Sequence, residues 1–135
     1  MNRNKDVQKQ FYNMIKTHGW AAHYVPLDDF HINYHTHGLK ENYNHRDLQI
    51  VLPVSMENAH GIVSGIIHDI KEGKVFYEDI DYIGYLGSNH RIQFKEFYEC
   101  ERPVLRILFP DKKGRMPFDV KCDAGFKAQL DILED

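Results

Sequence analysis

Between Ser55 and Gly73 the residues Met56, Ala59, Val63, Ile66, Ile67 and Ile70 fall on one helical stripe. No other feature constrains the chain as much, because a helix with a single apolar face has to bury that face against another layer. Ser55 is placed to cap the start and Gly73 to close the end, so the spacing predicts a helix over 55–72. The covering layer has to come from segments whose period is two rather than 3.6.

Such segments lie on both sides of the helix. Trp20–Val25 alternates, Pro26 and the pair Asp28-Asp29 mark a turn, and Phe30–His37 alternates again. Leu48–Leu52 is a short apolar run bounded by Pro53, as a buried strand would be, while Gly38–Asp47 between them reads as a loop. Beyond the helix, 74–87 carries a weak pattern, Ile92–Tyr98 and Val104–Phe109 read as strands, and Pro110–Gly114 reads as a tight turn. At the N-terminal end Val7, Phe11, Met14, Ile15 and His18 keep helical spacing, with Asp6 as the expected cap and Gly19 as the stop. The tail over 123–133 is expected as a short helix or an irregular arm. Together these predict an α+β fold: a single layer of mainly antiparallel sheet, about five or six strands, packed with one long central helix and an N-terminal helix. At 135 residues, 42% of them hydrophobic, the chain is expected to form one domain over 1–135.

Charge and cysteine content narrow the function. A net charge of −3 argues against bulk binding of nucleic acid or of an anionic membrane. Cys100 and Cys122 have no CxxC spacing and read as free thiols. The polar start of the chain and the lack of an apolar run of membrane length make the cytoplasm the expected location. No phosphate-binding glycine loop and no nucleophile elbow is present; Ser64 falls inside the predicted helix.

Nine histidines are the one compositional oddity. In the strand 30–37, Phe30, Ile32, Tyr34 and Thr36 share one face, and His31, Asn33, His35 and His37 share the other. His35 and His37 therefore project in parallel about 7 Å apart, a geometry suited to a metal edge. Further ligands would have to come from His23, His45, His90 or Asp47. The plainer reading, that a solvent-facing strand simply carries half-polar side chains, ranks above it, so a divalent metal is placed below no cofactor. The acids of Glu78-Asp79-Ile80-Asp81 read as a solvated loop, and Tyr77, Tyr82 and Tyr85 beside them as a partner surface or a rim of the core.

Four segments carry a resemblance: His18-Gly19-Trp20; Thr36-x-Gly38-Leu39; His45-Arg46-Asp47-Leu48; and Phe109-Pro110-Asp111-Lys112-Lys113-Gly114-Arg115-Met116-Pro117-Phe118. In this order and spacing the chain resembles the bacterial domain-of-unknown-function family numbered four-two-six-two. That family is marked by Tyr-Thr-x-Gly-Leu, Gly-His-Pro-Glu-Leu and Pro-Asp-x-x-Gly-x-x-Pro-Trp segments. Here Arg46-Asp47 stands for the Pro-Glu pair and Phe118 for the closing Trp, while His35 and His37 occupy positions where the pattern has Tyr and an aliphatic residue. The resemblance implies a site region at Thr36, Gly38, His45, Asp47, Asp111, Gly114, Arg115 and Pro117, without an assigned activity. Gly38 and Gly114 equally suit turns needing positive φ, Pro117 a fixed loop, and Asp111 a cap on its own turn. Two functional classes follow: a small binding or regulatory module, whose partner would be another protein, and, ranked second, a metal-assisted hydrolase using His45 and Asp47 with the strand histidines.

Overall fold

The computed structural model describes residues 3–87 and 89–133. Its elements in chain order are α1 (Arg3–His18), β1 (Ala21–Pro26), β2 (Ile32–His37), α2 (Leu39–Tyr43), β3 (Asp47–Ile50), α3 (Met56–Lys71), β4 (Tyr82–Ile83), β5 (Arg91–Glu99), β6 (Arg102–Leu108) and α4 (Ala124–Lys127), followed by a 3₁₀ turn over Ala128–Leu130. The six strands form one sheet in the order β1-β2-β3-β6-β5-β4. Every neighbouring pair is antiparallel except β3 and β6, which run parallel. The fold is therefore the expected mainly antiparallel α+β layer.

Helix α3 forms where the stripe requires it. Ser55 is extended, its hydroxyl accepts a hydrogen bond from the Asn58 N–H, and Ala59, Val63, Ile66, Ile67 and Ile70 are all buried. They pack on Ile32, Tyr34, Leu48, Ile50, Phe94, Leu105 and Ile107, the inward residues of four strands. Each such aliphatic side chain contributes about 2 kcal/mol by leaving water. Among the described residues no helix is long and apolar enough to cross a membrane.

Three local expectations are corrected. The segment 38–47 is not all loop: α2 occupies its middle, entered through Gly38 at φ 105° and left through Asn44 at φ 52°. Asp6 does not cap α1 but lies in its first turn. The apolar stripe of α1 is only partly used, since Phe11 and Ile15 are half-buried while Val7 and Met14 remain exposed. The reason is that α1 packs mainly against β1, a single edge strand, which covers only part of the stripe.

The largest correction concerns the face opposite α3. It is not open to solvent, for His31, Asn33, His35, Gln49 and Arg106 are all buried there. The C-terminal arm lies over them. Arg106 Nη1 donates to the Gln129 and Asp131 carbonyls at 2.7 Å, and Arg106 Nε donates to Gln49 Oε1 at 2.8 Å. The Arg106 guanidinium also stacks 3.5 Å from the Phe97 ring centroid. Gln129 closes the arm by accepting from the Phe109 N–H and donating to the Phe109 carbonyl. Among the described residues no buried side-chain nitrogen or oxygen lacks a partner, which is how a polar layer survives burial.

Candidate metal centre

The polar layer ends in a cluster of imidazoles. His35 and His37 leave the same face of β2, with ring centroids 5.1 Å apart. His23, across the strand pair from His35, stands 5.4 and 5.5 Å from them and stacks on Phe11 of α1 at 4.1 Å. Glu99, the last residue of β5, reaches the residues of β2, so that its Oε2 lies 3.2 Å from His35 Nδ1 and accepts from Asn33 Nδ2 at 3.3 Å. One ligand atom from each of His35, His37 and Glu99 lies within 4.8 Å of the others.

Arg102 fixes this carboxylate from behind. Its Nη2 donates to Glu99 Oε1 at 3.3 Å, and its Nη1 reaches Asp47 Oδ2 at 3.1 Å and the Thr36 carbonyl at 2.9 Å. Glu99 and Arg102 face each other across the two-residue turn Cys100-Glu101, and both turn residues adopt positive φ, 48° and 66°. Side chains other than Gly, Asn or Asp are strained in that conformation. The cluster floors a half-open cleft of about 650 Å³ whose walls are Val25, Leu27 and Leu133. Burial, the charge of Arg102 and the neighbouring imidazoles push the His37 pKa down to about 4. At neutral pH its ring is therefore uncharged and keeps a free lone pair, as a metal ligand must.

The other sequence-derived candidates fall into two separate groups, neither of which gathers at an open site. Thr36 Oγ1 donates to Asp47 Oδ1 at 2.8 Å and accepts from the Leu48 N–H, while the Leu39 N–H also reaches Asp47 Oδ1. Burial raises the Asp47 pKa against these bonds and the Arg102 charge, which favour its ionised form. Both nitrogens of His45 are taken by backbone: Nδ1 donates to the Arg46 carbonyl at 2.8 Å and Nε2 accepts from the Phe76 N–H at 3.1 Å. His45 thus pins the 74–77 segment to the connection that enters β3, and burial holds its pKa below the ordinary imidazole value. Its proton and lone pair are both committed, so the geometry offers it neither as a ligand nor as a base.

The second group is a turn. Asp111 Oδ1 accepts from the Lys113 and Arg115 N–H groups, and Oδ2 from Arg115 Nε and the Asp123 N–H. Although burial opposes the charge, these bonds hold the Asp111 carboxyl well below the usual range. Gly114 sits at φ 80° and Pro117 is buried, so this region acts as a rigid corner. The acidic segment is also structural. Asp79 is at φ 62° and is not extended, and Asp81 is held by Arg91 and Gln93.

Glu99 and Arg102 carry little signal of this role in the sequence. Only the period-two series Lys95, Phe97, Glu99 marks a shared strand face, and Cys100-Glu101 carries none of the Asn or Gly that announces a tight hairpin. Residues 14–123 match the model of a family described as a domain of unknown function. No curated protein and no solved structure matches the chain.

Proposed function

This chain belongs to the DUF4262 family, a domain of unknown function, and from that premise we propose that it is a binding module whose ligand is a divalent transition-metal ion held by His35, His37 and Glu99. The observation that carries the reading is the approach of three donor atoms, two nitrogens and one oxygen, to within 4.8 Å of one another. Two ligands about 2.1 Å from one ion stand at most about 4.2 Å apart. The widest separation in the set exceeds that limit by at most about 0.6 Å, a gap that side-chain rotation has to close.

Two imidazoles and one carboxylate suit zinc, iron or manganese and leave at least one coordination position for water or a ligand. That position would face the cleft walled by Val25, Leu27 and Leu133. Arg102 would serve as the supporting contact that orients a ligating carboxylate. Hydrolysis through His45 does not form part of the reading, since both of its nitrogens are bound to backbone.

Elemental analysis of protein purified without a histidine tag tests the proposal, beside a His35→Ala/His37→Ala double variant and Glu99→Gln. The expected result is close to one equivalent of zinc, iron or manganese in the parent protein, lost in the double variant and reduced in Glu99→Gln, with circular dichroism unchanged in all three. If the parent holds no metal and takes up none in a zinc titration, the reading is wrong.

A further inference from the structure

A second cleft, of about 600 Å³, lies on the opposite side of the sheet between α1, β1 and α3. From α3 it is lined by Met56, Glu57 and His60 at the start of that helix and by Lys71 at its end. At 1.5 Å per residue these limits are about 22 Å apart. The groove exists because Ala22 stands between Trp20 and Tyr24 on one face of β1, leaving a gap where two aromatic side chains flank a methyl group.

The walls present carbon. Tyr24 Oη donates to the Val54 carbonyl at 2.9 Å, and Tyr34 Oη pairs with His60 Nδ1 at 3.2 Å, so both hydroxyls are already engaged within the protein. Trp20 stacks on His60 at 5.4 Å, and Met14 and Met56, both exposed and conformationally adaptable, form the remaining sides. Charge gathers at the two ends. Glu57 stands at the start of α3; Lys71 stands at the far end, its Nζ donating to the His18 carbonyl at 3.0 Å, and the surface depression that adjoins both is lined by Lys16 and Glu41.

We propose that this groove binds a free single-chain amphiphile with an anionic head, a long-chain carboxylic acid, its apolar chain lying along α3 and its carboxylate at Lys71. Length, wall chemistry and the sign of the far end all select this occupant. One acyl chain spans about 15 Å, half the hydrocarbon thickness of a bilayer, and fits the groove with room for the head group. A polar or multiply charged ligand would find no uncommitted hydroxyl along the walls. The site is distinct from the imidazole cluster and does not depend on a metal.

Trp20 is the chain's one tryptophan, so its fluorescence reports directly on the groove. The experiment titrates the protein with 12-bromododecanoic acid below its micellar concentration, beside 12-bromododecanol and beside neutral phospholipid vesicles carrying a brominated chain. The acid should quench Trp20 saturably, and each methylene added across a shorter homologous series should tighten binding two- to four-fold. Lys71→Gln, an exposed substitution, should weaken the acid three- to ten-fold and leave the alcohol unchanged. Ala22→Phe, which fills the gap, should weaken both ten-fold or more. The His35→Ala/His37→Ala variant should bind as the parent does. Absence of saturable quenching, quenching by vesicles alone, or equal affinity for acid and alcohol would each overturn the proposal.

Discussion

At the scale of single residues, two glycines show how the surroundings set the sign of one substitution. Gly38 has φ 105°, and a Cβ there would approach the Gly19 carbonyl oxygen to 2.7 Å and Ile15 Cγ2 to 3.2 Å. Gly38→Ala therefore combines backbone strain with a backbone clash and should cost about 3 kcal/mol. Gly65 lies within α3 with nothing within 4 Å of such a Cβ. Gly65→Ala should stabilise by about 0.5–1 kcal/mol through helix propensity. Urea unfolding of both variants checks the pair, the midpoint falling in one and rising in the other. That Gly38 would need a left-handed turn was legible in the sequence, as was the self-capping turn of Asp111. What crowds Gly38 was not, because the neighbour is a backbone carbonyl, and a carbonyl has no sequence signature.

Among the elements, the C-terminal arm has the largest structural consequence for its size. Its expected form, a short helix or an irregular arm, is met by both, with α4 and the 3₁₀ turn leading into an extended end. Its task was hidden: the groups it satisfies on Arg106 and His31 lie 23 to 100 positions away, and much of what it offers them is main chain. Burial pulls the Arg106 pKa down to about 10, yet the group stays charged and relies on those carbonyls. A chain ending after Lys127 loses both carbonyl acceptors of Arg106 and the Gln129 bonds to the Phe109 backbone, and should lose about 3–5 kcal/mol of stability. Adding Arg106→Met to the truncated chain should restore part of the loss, because an apolar side chain needs no acceptors. If chemical denaturation finds the truncated chain as stable as the parent, the arm is not the cover described. The same physics hid Glu99, which joins the imidazole cluster from a strand 64 positions beyond His35.

For the molecule as a whole, titration of two buried histidines shapes stability in opposite directions. His31 Nδ1 faces the Asp28 carboxylate at 2.9 Å, and Nε2 faces the Asp131 carboxylate and the Ala128 carbonyl at 3.0 Å. Burial opposes the charge of His31, but the acceptors outweigh it and raise its pKa above 6.5. Its contribution is complete below about pH 6.5 and disappears as the pH climbs through the raised value. His45, whose pKa burial lowers, contributes above about pH 6.5 and loses that contribution as the pH falls. Melting temperatures across pH 5 to 9 should therefore peak between the two limbs. His31→Gln should flatten the alkaline limb and leave the acid limb in place; an unchanged alkaline limb would show that His31 carries no charge in the fold. The α+β layer and its central helix were legible from periodicity, which reports which face is buried. The order of the strands was not, because periodicity does not say which neighbour a strand takes. One pairing in that order has a kinetic consequence. Leu48 and Leu105, opposite each other on the parallel β3–β6 seam, are 57 positions apart, whereas β1–β2 and β5–β6 are joined by short connections. Hairpins close quickly and locally, but the seam carries the loop-closure entropy of everything between its strands. The two halves of the sheet are thus placed to form as separate nuclei, and the seam is the pairing that has to close the longest loop in the sheet.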